Sequence, residues 1–305
     1  MTTRPGTSGG AALGRKERID RAMRGADVDR QPFSLWQHFR LRTAEAHAEA
    51  TLDFHRRYRT DLVKVMSEFP YPKPAGKWYE LRPEGNPFPQ QIRALELIRD
   101  GLQGAAYFIE TVFNPWRVAQ KLSSNEEVRK LKEEKPQALL DAMEAIAQSE
   151  IHHARLALAA GAAGVFLSVD GAVAAELSPE EYAKFSAPFD QRILEAVSGA
   201  RLNVLHLHVE PEYLGLFQGF PTAILNYSQR VSGIPMPEMR CQFGAVLAGG
   251  IDEVDYRALG LDELRGQWEA ASKSAGPKFI LTPGCSVPDG STPEELSRLP
   301  RMLGA

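Results

Sequence analysis

Eight short runs rich in β-branched and other apolar residues recur along the chain, and stretches with helical spacing separate them. The runs occupy residues 32–37, 62–67, 106–113, 164–170, 202–209, 222–228, 245–251 and 278–284. Strands that alternate with helices are typical of a parallel sheet, because parallel neighbours need a long crossover connection. Eight such units predict a single α/β domain with the (β/α)8 TIM-barrel fold. An open, doubly wound sheet is the alternative architecture.

Polar residues stand where the predicted strands end. In a barrel of this kind the functional groups lie at the carboxyl ends of the strands. The residues found there are Gln37, His38, Glu68, Glu110, Asp170, His206, His208, Glu210, Asn226, Tyr227, Asp252 and Cys285. For any one acidic residue, an ordinary polar loop end is the simpler interpretation. Taken together, they predict a site at this face.

The stretch "VLHLHVEP" holds His206 and His208 two residues apart. Because residues i and i+2 of a strand face the same side, both imidazoles are expected to point into the barrel, with Leu205 and Leu207 toward the helices. Buried imidazoles without partners are costly. The pair is therefore either hydrogen-bonded and orients a substrate, or it binds a metal together with the thiolate of Cys285. Three protein ligands and one open position are usual for catalytic zinc.

Composition narrows the classes of partner. The chain has 305 residues, of which 43% are hydrophobic and 25% charged, an ordinary globular composition. A formal net charge of −3 gives no reason to expect nucleic acid or an anionic membrane as partner. No apolar run approaches the roughly 20 residues that span a bilayer. Two cysteines are too few for a disulfide framework, so a cytoplasmic setting is expected, with Cys241 as a small buried residue.

Four segments resemble the uroporphyrinogen decarboxylase family, and they follow the family's order. They read "RKERIDRAMRGADVDRQPF", "GAAGVFLSVDGAVAAELSPEEYAKFSAPFDQRILEAV", "GGID" and "PGCSVPDGSTPEEL". The resemblance runs from residue 15 to the end. It implies a (β/α)8 barrel over residues 15–305, with an N-terminal helix before strand one and the active cleft at the barrel mouth. Residues 1–14 are expected to be a flexible lead.

The family has two branches with different requirements. True decarboxylases of haem biosynthesis use no cofactor, and arginines of an R-Q-A-G-R segment after their first strand bind the substrate carboxylates. Residues 37–41 here read "QHFRL", in which only Arg40 is cationic. The other branch transfers methyl groups between a corrinoid protein and an acceptor, and binds zinc through a His-x-Cys strand and a late cysteine. His206 and Cys285 occupy such positions, and His208 replaces the intervening cysteine, so this branch fits better.

The resemblance also suggests roles for individual residues. Glu68 stands where the decarboxylases have a catalytic aspartate after a serine, here Ser67. The strand-end positions and the resemblance together give the expected roles, which are catalytic for Glu68, Asp170 and Tyr227, substrate-binding for Gln37, His38, Glu110 and Asn226, and zinc-binding for His206, His208 and Cys285. The chain has no D-x-H-x-x-G corrinoid motif, so a corrinoid is expected only on a partner protein.

Three function hypotheses follow. The first is a zinc-dependent methyltransferase or demethylase that acts with a corrinoid protein. The second is a metal-free decarboxylase-like lyase, acting on uroporphyrinogen or a smaller carboxylated substrate. The third is a non-catalytic relative that binds a small ligand. All three involve a small molecule, and a homodimer is compatible with each.

Overall fold

A single parallel sheet forms the centre of the computed structural model, which describes residues 12–305. Residues 1–11, within the expected N-terminal lead, lie outside the described residues. The strands formed by the described residues are β1 Leu62–Val65, β2 Tyr107–Phe113, β3 Val165–Ala172, β4 Val204–Val209, β5 Ile224–Tyr227, β6 Val246–Ile251 and β7 Phe279–Pro283.

Helices precede, cover and follow the strands. They are α1 Arg15–Arg24, α2 Ala44–Tyr58, α3 Pro89–Leu102, α4 Pro115–Leu122, α5 Asn125–Glu134, α6 Pro136–Ala159, α7 Pro179–Phe185, α8 Ala187–Glu195, α9 Gln229–Ser232, α10 Met236–Gln242, α11 Leu261–Ala275 and α12 Pro293–Leu303. Pro211–Phe217 adds a 3-10 helix after β4. Across residues 12–305, none of the helices combines the length and the apolar character that a membrane crossing requires.

The strands follow one another in chain order, and the two edges of the sheet approach each other. Phe33 forms a parallel bridge with Leu281 of β7. Its carbonyl also accepts a hydrogen bond of 2.9 Å from the N–H of Asp61, just before β1. One short segment thus contacts both edge strands, and the sheet is curled in the manner of a TIM barrel.

The expected eighth strand does not form in the part of the chain that the structure describes. Run 32–37 contributes only the bridge at Phe33. The reason is that side chains take up its hydrogen bonds: the Phe33 N–H donates to the Asp61 carboxylate at 3.1 Å. The Ser34 hydroxyl donates to the Leu62 carbonyl at 2.7 Å. A ladder with β1 therefore has no free run of backbone groups to use.

Alternation along the strands separates two apolar layers. Leu205 and Leu207 of β4 pack in the main core beneath the helices, as the sequence predicts, while His206 and His208 face inward. A second buried cluster fills the inside of the sheet. Its members are Ile19, Ala22, Trp36, Leu62, Met66, Ile109, Phe166, Leu202, Val204, Ile224, Val246, Ala248 and Ile280. The interior is therefore packed below the histidines and open only above them.

Local signals set helix boundaries near the site. Ser178 caps α7, and its hydroxyl and the Glu181 carboxylate bond each other's backbone N–H groups in a capping box. Asn114 caps α4, directly after β2. The Asn114 amide also donates to the Asp170 carbonyl at 3.0 Å, which joins the end of β2 to β3. These contacts hold the loops above the strand ends.

A buried carboxylate connects α1, the bridging segment and β1. Asp61 is fully buried and accepts from Arg18 at 2.5 Å and from both terminal nitrogens of Arg30, at 2.7 and 3.0 Å. Arg18 bonds Asp29 as well, at 2.7 and 2.8 Å, which holds the pKa of that carboxyl well below its usual range. Since Asp61 also accepts from the Phe33 N–H, this cluster fixes the junction between the edges of the sheet.

Replacing Asp61 by Asn should lower the free energy of unfolding by about 3 kcal/mol, because it removes the only carboxylate within residues 12–305 that pairs with Arg30 and leaves the buried Arg18 with Asp29 alone. Asp53→Asn is the matched control, since Asp53 pairs with Arg56 on the exposed surface of α2 and should change stability by less than about 1 kcal/mol. Urea denaturation followed by circular dichroism measures both. Equal small effects would contradict the assignment of Asp61 as the junction.

Candidate active site

A cavity of about 410 Å³ opens at the carboxyl ends of the strands. This volume lies within the usual range for small-molecule sites. The sequence-predicted residues that line it are His38, Glu68, Asp170, His206, His208 and Cys285. Strands β1, β3 and β4, with the loops after the first run and after β7, bring these groups together from distant parts of the chain.

Asn226 fixes the proton position on His206. The Asn226 amide nitrogen donates to the carbonyls of Ala248 and Pro283, at 3.0 and 3.2 Å, so its oxygen must face the other way. That oxygen lies 2.6 Å from Nδ1 of His206. Nδ1 therefore carries the proton, and Nε2 of His206 offers a lone pair to the cavity.

His208 stands between an acid and a thiol. Its Nδ1 lies 3.3 Å from the Asp170 carboxylate, and its Nε2 lies 3.5 Å from the sulfur of Cys285. The two Nε2 atoms of His206 and His208 are 3.1 Å apart. Within residues 12–305, this is the one group whose nitrogen and sulfur donors are close enough to share a metal ion, all lying within 4.8 Å of one another.

The donor set suits zinc. Two imidazole nitrogens and one thiolate are ligands that zinc prefers, and three protein ligands leave one position open. The outer nitrogens of both rings contact Asn226 and Asp170, the kind of support that orients metal-bound histidines. Without a cation, two Nε2 lone pairs would face each other, unless one ring takes up a proton. The geometry therefore fits either a bound metal or an imidazolium beside a thiolate.

Electrostatics favour the ion pair when no metal is bound. Burial alone would lower the pKa of His208, but contacts with Asp170 and Cys285 raise it to about 10. Burial alone would raise the pKa of the Cys285 thiol, but His208 and the ammonium of Lys64 lower it below the ordinary value. Burial, together with repulsion from His208 and Lys64, lowers the pKa of His206 far below its usual range. His206 is thus neutral and its neighbours form an imidazolium–thiolate pair.

Glu68 and His38 form a second polar group on the same wall. The Glu68 carboxylate lies 3.2 Å from Nδ1 of His38 and accepts from the Phe39 N–H at 3.1 Å. Burial alone would raise the pKa of Glu68, but His38 and this N–H lower it below the usual value. The carboxylate therefore stays ionised beside the cavity.

Three expected site residues lie elsewhere. Tyr227 and Glu110 are fully buried on the helix side of β5 and β2, because the alternation of those strands turns them outward. Tyr227 donates to the Ile234 carbonyl at 3.3 Å, and Glu110 contacts His153 at 3.1 Å. Gln37 is half-buried and is absent from the cavity wall. These three placements differ from the predicted roles.

Asn226 belongs to the site without reaching the cavity. Its side chain is fully buried, and its hydrogen bonds go to His206 and to the neighbouring strands. Asn226 was expected to contact the substrate, but it contacts His206, one of the three candidate metal-binding residues, instead. Cys241, expected to be buried, is exposed.

Sequence reasoning missed three cations on the cavity wall, Lys64 of β1 and Arg117 and Lys121 of α4. Lys64 is buried, and burial lowers its pKa to about 8. A signal was present in the sequence, since "LVKVM" places one lysine inside an otherwise apolar run. Lysine is almost never fully buried without a partner, so this position invites a functional explanation.

Comparison with known proteins gives a family match and several similar folds. Residues 73–303 match the family model described as Uroporphyrinogen decarboxylase (URO-D). No curated protein matches the sequence. A methyltransferase from Methanosarcina mazei superposes with a TM-score of 0.77 and 16% identity, over 96% of this chain and 98% of that one.

Two further solved structures share the fold. A B12-independent methionine synthase from a Shewanella species, in complex with selenomethionine, has a TM-score of 0.62 and 12% identity, over 90% of this chain and 92% of its own. A putative vitamin-B12 independent methionine synthase from Listeria monocytogenes has a TM-score of 0.57 and 8% identity, over 96% and 95%. At these identities the likeness concerns the fold.

The pKa of Cys285 can be tested by alkylation in protein stripped of metal with a chelator, in a Cys241→Ser background. Since the folded-state pKa is lowered, fast alkylation by iodoacetamide should persist below the ordinary thiol pKa of roughly 8.5 and disappear only as the pH falls through the lower value. His208→Gln removes the imidazolium and should move the midpoint upward. His152→Gln, on α6, should not. If the alkylation rate of protein that keeps His208 has its pH midpoint at or above roughly 8.5, the imidazolium–thiolate pair is contradicted.

Proposed function

Because the chain belongs to the uroporphyrinogen decarboxylase family, we propose that it is the methyltransferase type of enzyme within that family, dependent on zinc and acting with a separate corrinoid protein. The observation that carries the proposal is the convergence of His206, His208 and Cys285 in one cavity. Supporting it is the fold shared with a methyltransferase and with methionine synthases.

Zinc would be held by Nε2 of His206, Nε2 of His208 and the sulfur of Cys285. Two neutral imidazoles and one thiolate give a site with a net charge of +1, so zinc there would act as a Lewis acid that lowers the pKa of a thiol, hydroxyl or water ligand. Asp170 faces the outer nitrogen of His208, and Asn226 holds that of His206. Asn226 keeps the His206 ring in the tautomer that leaves Nε2 free, and the charge of Asp170 favours the same tautomer of His208.

The chain's own residues supply positioning and proton handling. Glu68 is kept ionised by His38 and the Phe39 N–H and faces the same cavity. It is placed to accept the proton that an acceptor thiol or hydroxyl releases. The packed apolar layer beneath the histidines closes the cavity from below, so reactants enter from the mouth. A corrinoid would supply the methyl group and would be carried by the partner protein, since the chain has no corrinoid motif.

Uroporphyrinogen fits this cavity poorly. Arg40, the one cation of the "QHFRL" segment, is exposed and pairs with Asp289. It is therefore unlike the paired arginines that a substrate with eight carboxylates requires. A cavity of about 410 Å³ also suits a smaller molecule than a tetrapyrrole.

We further propose that residues 15–305 act as one barrel domain. The segment around Phe33 occupies the position of the missing strand between β7 and β1. The site draws on β1, β3 and β4 and on the loop after β7. Its ligands would thus be assembled only when the sheet is curled, which makes the whole unit the functional one.

Untagged protein should bind one zinc ion per chain. Cys285→Ser should weaken zinc binding at least tenfold, or about 1.4 kcal/mol, because a thiolate ligand is lost. Cys241→Ser is the matched control and should keep full zinc content, since Cys241 is exposed and outside the donor group. Mass-spectrometric metal analysis and competition with a chromogenic chelator measure both. Unchanged zinc binding in Cys285→Ser would disprove this ligand set.

The reaction class has its own test. Zinc-loaded protein should accelerate transfer of the methyl group from methylcobalamin to 2-mercaptoethanol. The visible absorption spectrum of the corrinoid measures the rate. The acceleration should disappear in Cys285→Ser and persist in Cys241→Ser. The same protein should not convert uroporphyrinogen to coproporphyrinogen. Uroporphyrinogen turnover by chelator-treated protein would instead support a metal-free lyase.

A further inference from the structure

Lys64 lies at the floor of the cavity with its charge buried. Its side chain is only 7% exposed, although it belongs to a short strand of otherwise apolar residues. The ammonium group sits 4.4 Å from the centre of the Phe166 ring and 5.5 Å from that of Trp36. Its hydrogen bond, of 3.0 Å, goes to the sulfur of Met66, which is a weak acceptor.

No carboxylate within residues 12–305 forms an ion pair with Lys64. The nearby acids are engaged elsewhere. Glu68 contacts His38, Asp170 contacts His208, and Glu110 turns to the far side of β2. Aromatic rings stabilise a buried ammonium only in part, and a buried charge without a partner is costly. The Cys285 thiolate is the remaining anion nearby, and it is paired with His208. No anionic group of the described residues therefore bonds the Lys64 ammonium directly.

The rest of the cavity wall adds to the positive charge. Arg117 and Lys121 line its outer part, and neither forms an ion pair with a described carboxylate. The proposed zinc site would contribute a further +1. Since Arg40 is already paired with Asp289, the unbalanced charge is concentrated on the side of β1 and α4. A cavity of this kind favours an anionic ligand.

We propose that the floor of the cavity is an anion subsite, in which Lys64 pairs with a carboxylate of the small molecule that the enzyme methylates or demethylates. The inference rests on the proposed function for the identity of the reaction, but the subsite itself depends only on Lys64 and its surroundings. A single ammonium with no guanidinium at the floor matches a singly charged carboxylate better than a phosphate, which proteins commonly hold with arginine forks or helix N-termini.

The arrangement also orients that molecule. Trp36 and Phe166 flank Lys64, and the Phe166 ring lies 4.9 Å from the His206 ring. A molecule bound through its carboxylate at Lys64 would lie along this aromatic wall, with its opposite end toward His206, His208 and Cys285. Lys64 is thus assigned as a substrate-binding residue that selects charge and sets direction.

The test compares an acid with its neutral amide by isothermal titration calorimetry. On zinc-loaded protein the probes are 3-mercaptopropionate and 3-mercaptopropionamide, and on chelator-treated protein they are butyrate and butyramide. The acid should bind at least tenfold more tightly than the amide in each pair, about 1.4 kcal/mol. Equal binding of acid and amide to the unmodified protein would overturn the subsite, whether or not zinc is present.

Variants assign the preference to one lysine. Lys64→Met keeps a similar shape without the charge and should abolish the preference for the acid while leaving zinc content at one per chain. Lys184→Met is the matched control, because that lysine lies on the exposed surface of α7 against the Phe185 ring, outside the cavity, and it should change the preference less than about twofold. A preference that survives Lys64→Met would overturn the assignment.

The same measurements separate the two proposals. If the unmodified protein binds no zinc yet prefers butyrate in a Lys64-dependent way, the anion subsite stands and the metal site fails. If zinc binds at His206, His208 and Cys285 but acid and amide bind equally, the metal site stands and the subsite fails.

Discussion

The buried amide of Asn226 is the constraint on which the site depends. Its nitrogen bonds groups on β6 and at the end of β7, and its oxygen accepts from His206 on β4. One side chain of β5 thereby links its own strand to three others, β4, β6 and β7, at the level where the cavity begins. Because all its hydrogen bonds are made inside the protein, the amide cannot rotate without leaving buried groups unpaired. The orientation of the His206 ring is a consequence of the packing of the whole sheet.

The lower part of the barrel stabilises the fold, and the upper part carries the polar groups of the cavity. The Asp61 cluster joins α1, the bridging segment and β1, while the apolar layer inside the sheet gives the cavity a firm floor. Above that floor the inward side chains become polar, from Lys64 through His206 to His208. A charged group at the boundary between the two levels has little water around it, so its interactions are stronger than those at the exposed mouth.

The sequence predicted most of this arrangement through strand alternation. Alternate residues of a strand face opposite sides, and this rule alone turns Leu205 and Leu207 outward and the two histidines inward. The position of Cys285 follows because the carboxyl ends of all the strands lie at the same face of the barrel. The same rule, applied within β2 and β5, would have turned Glu110 and Tyr227 away from the cavity. Nearness to a strand end does not bring a side chain to the cavity unless the strand also turns it inward. The absent first strand could not be predicted, because it depends on the Asp61 side chain, 28 residues further along the chain, taking the N–H of Phe33.

The sequence marks Lys64 as one lysine within an apolar run, but the rings of Trp36 and Phe166 that enclose its charge come from distant parts of the chain and become evident only in the fold. The thiolate of Cys285 carries a different lesson. The imidazolium beside it stabilises the deprotonated sulfur, which is also the form that peroxide attacks. Oxidation to a sulfenic acid would remove the thiolate ligand, whereas a bound metal ion would shield the sulfur. With zinc bound as proposed, metal occupancy and redox state would be coupled at this position, and protein that lost its ion in air would need a reductant before it could bind the ion again.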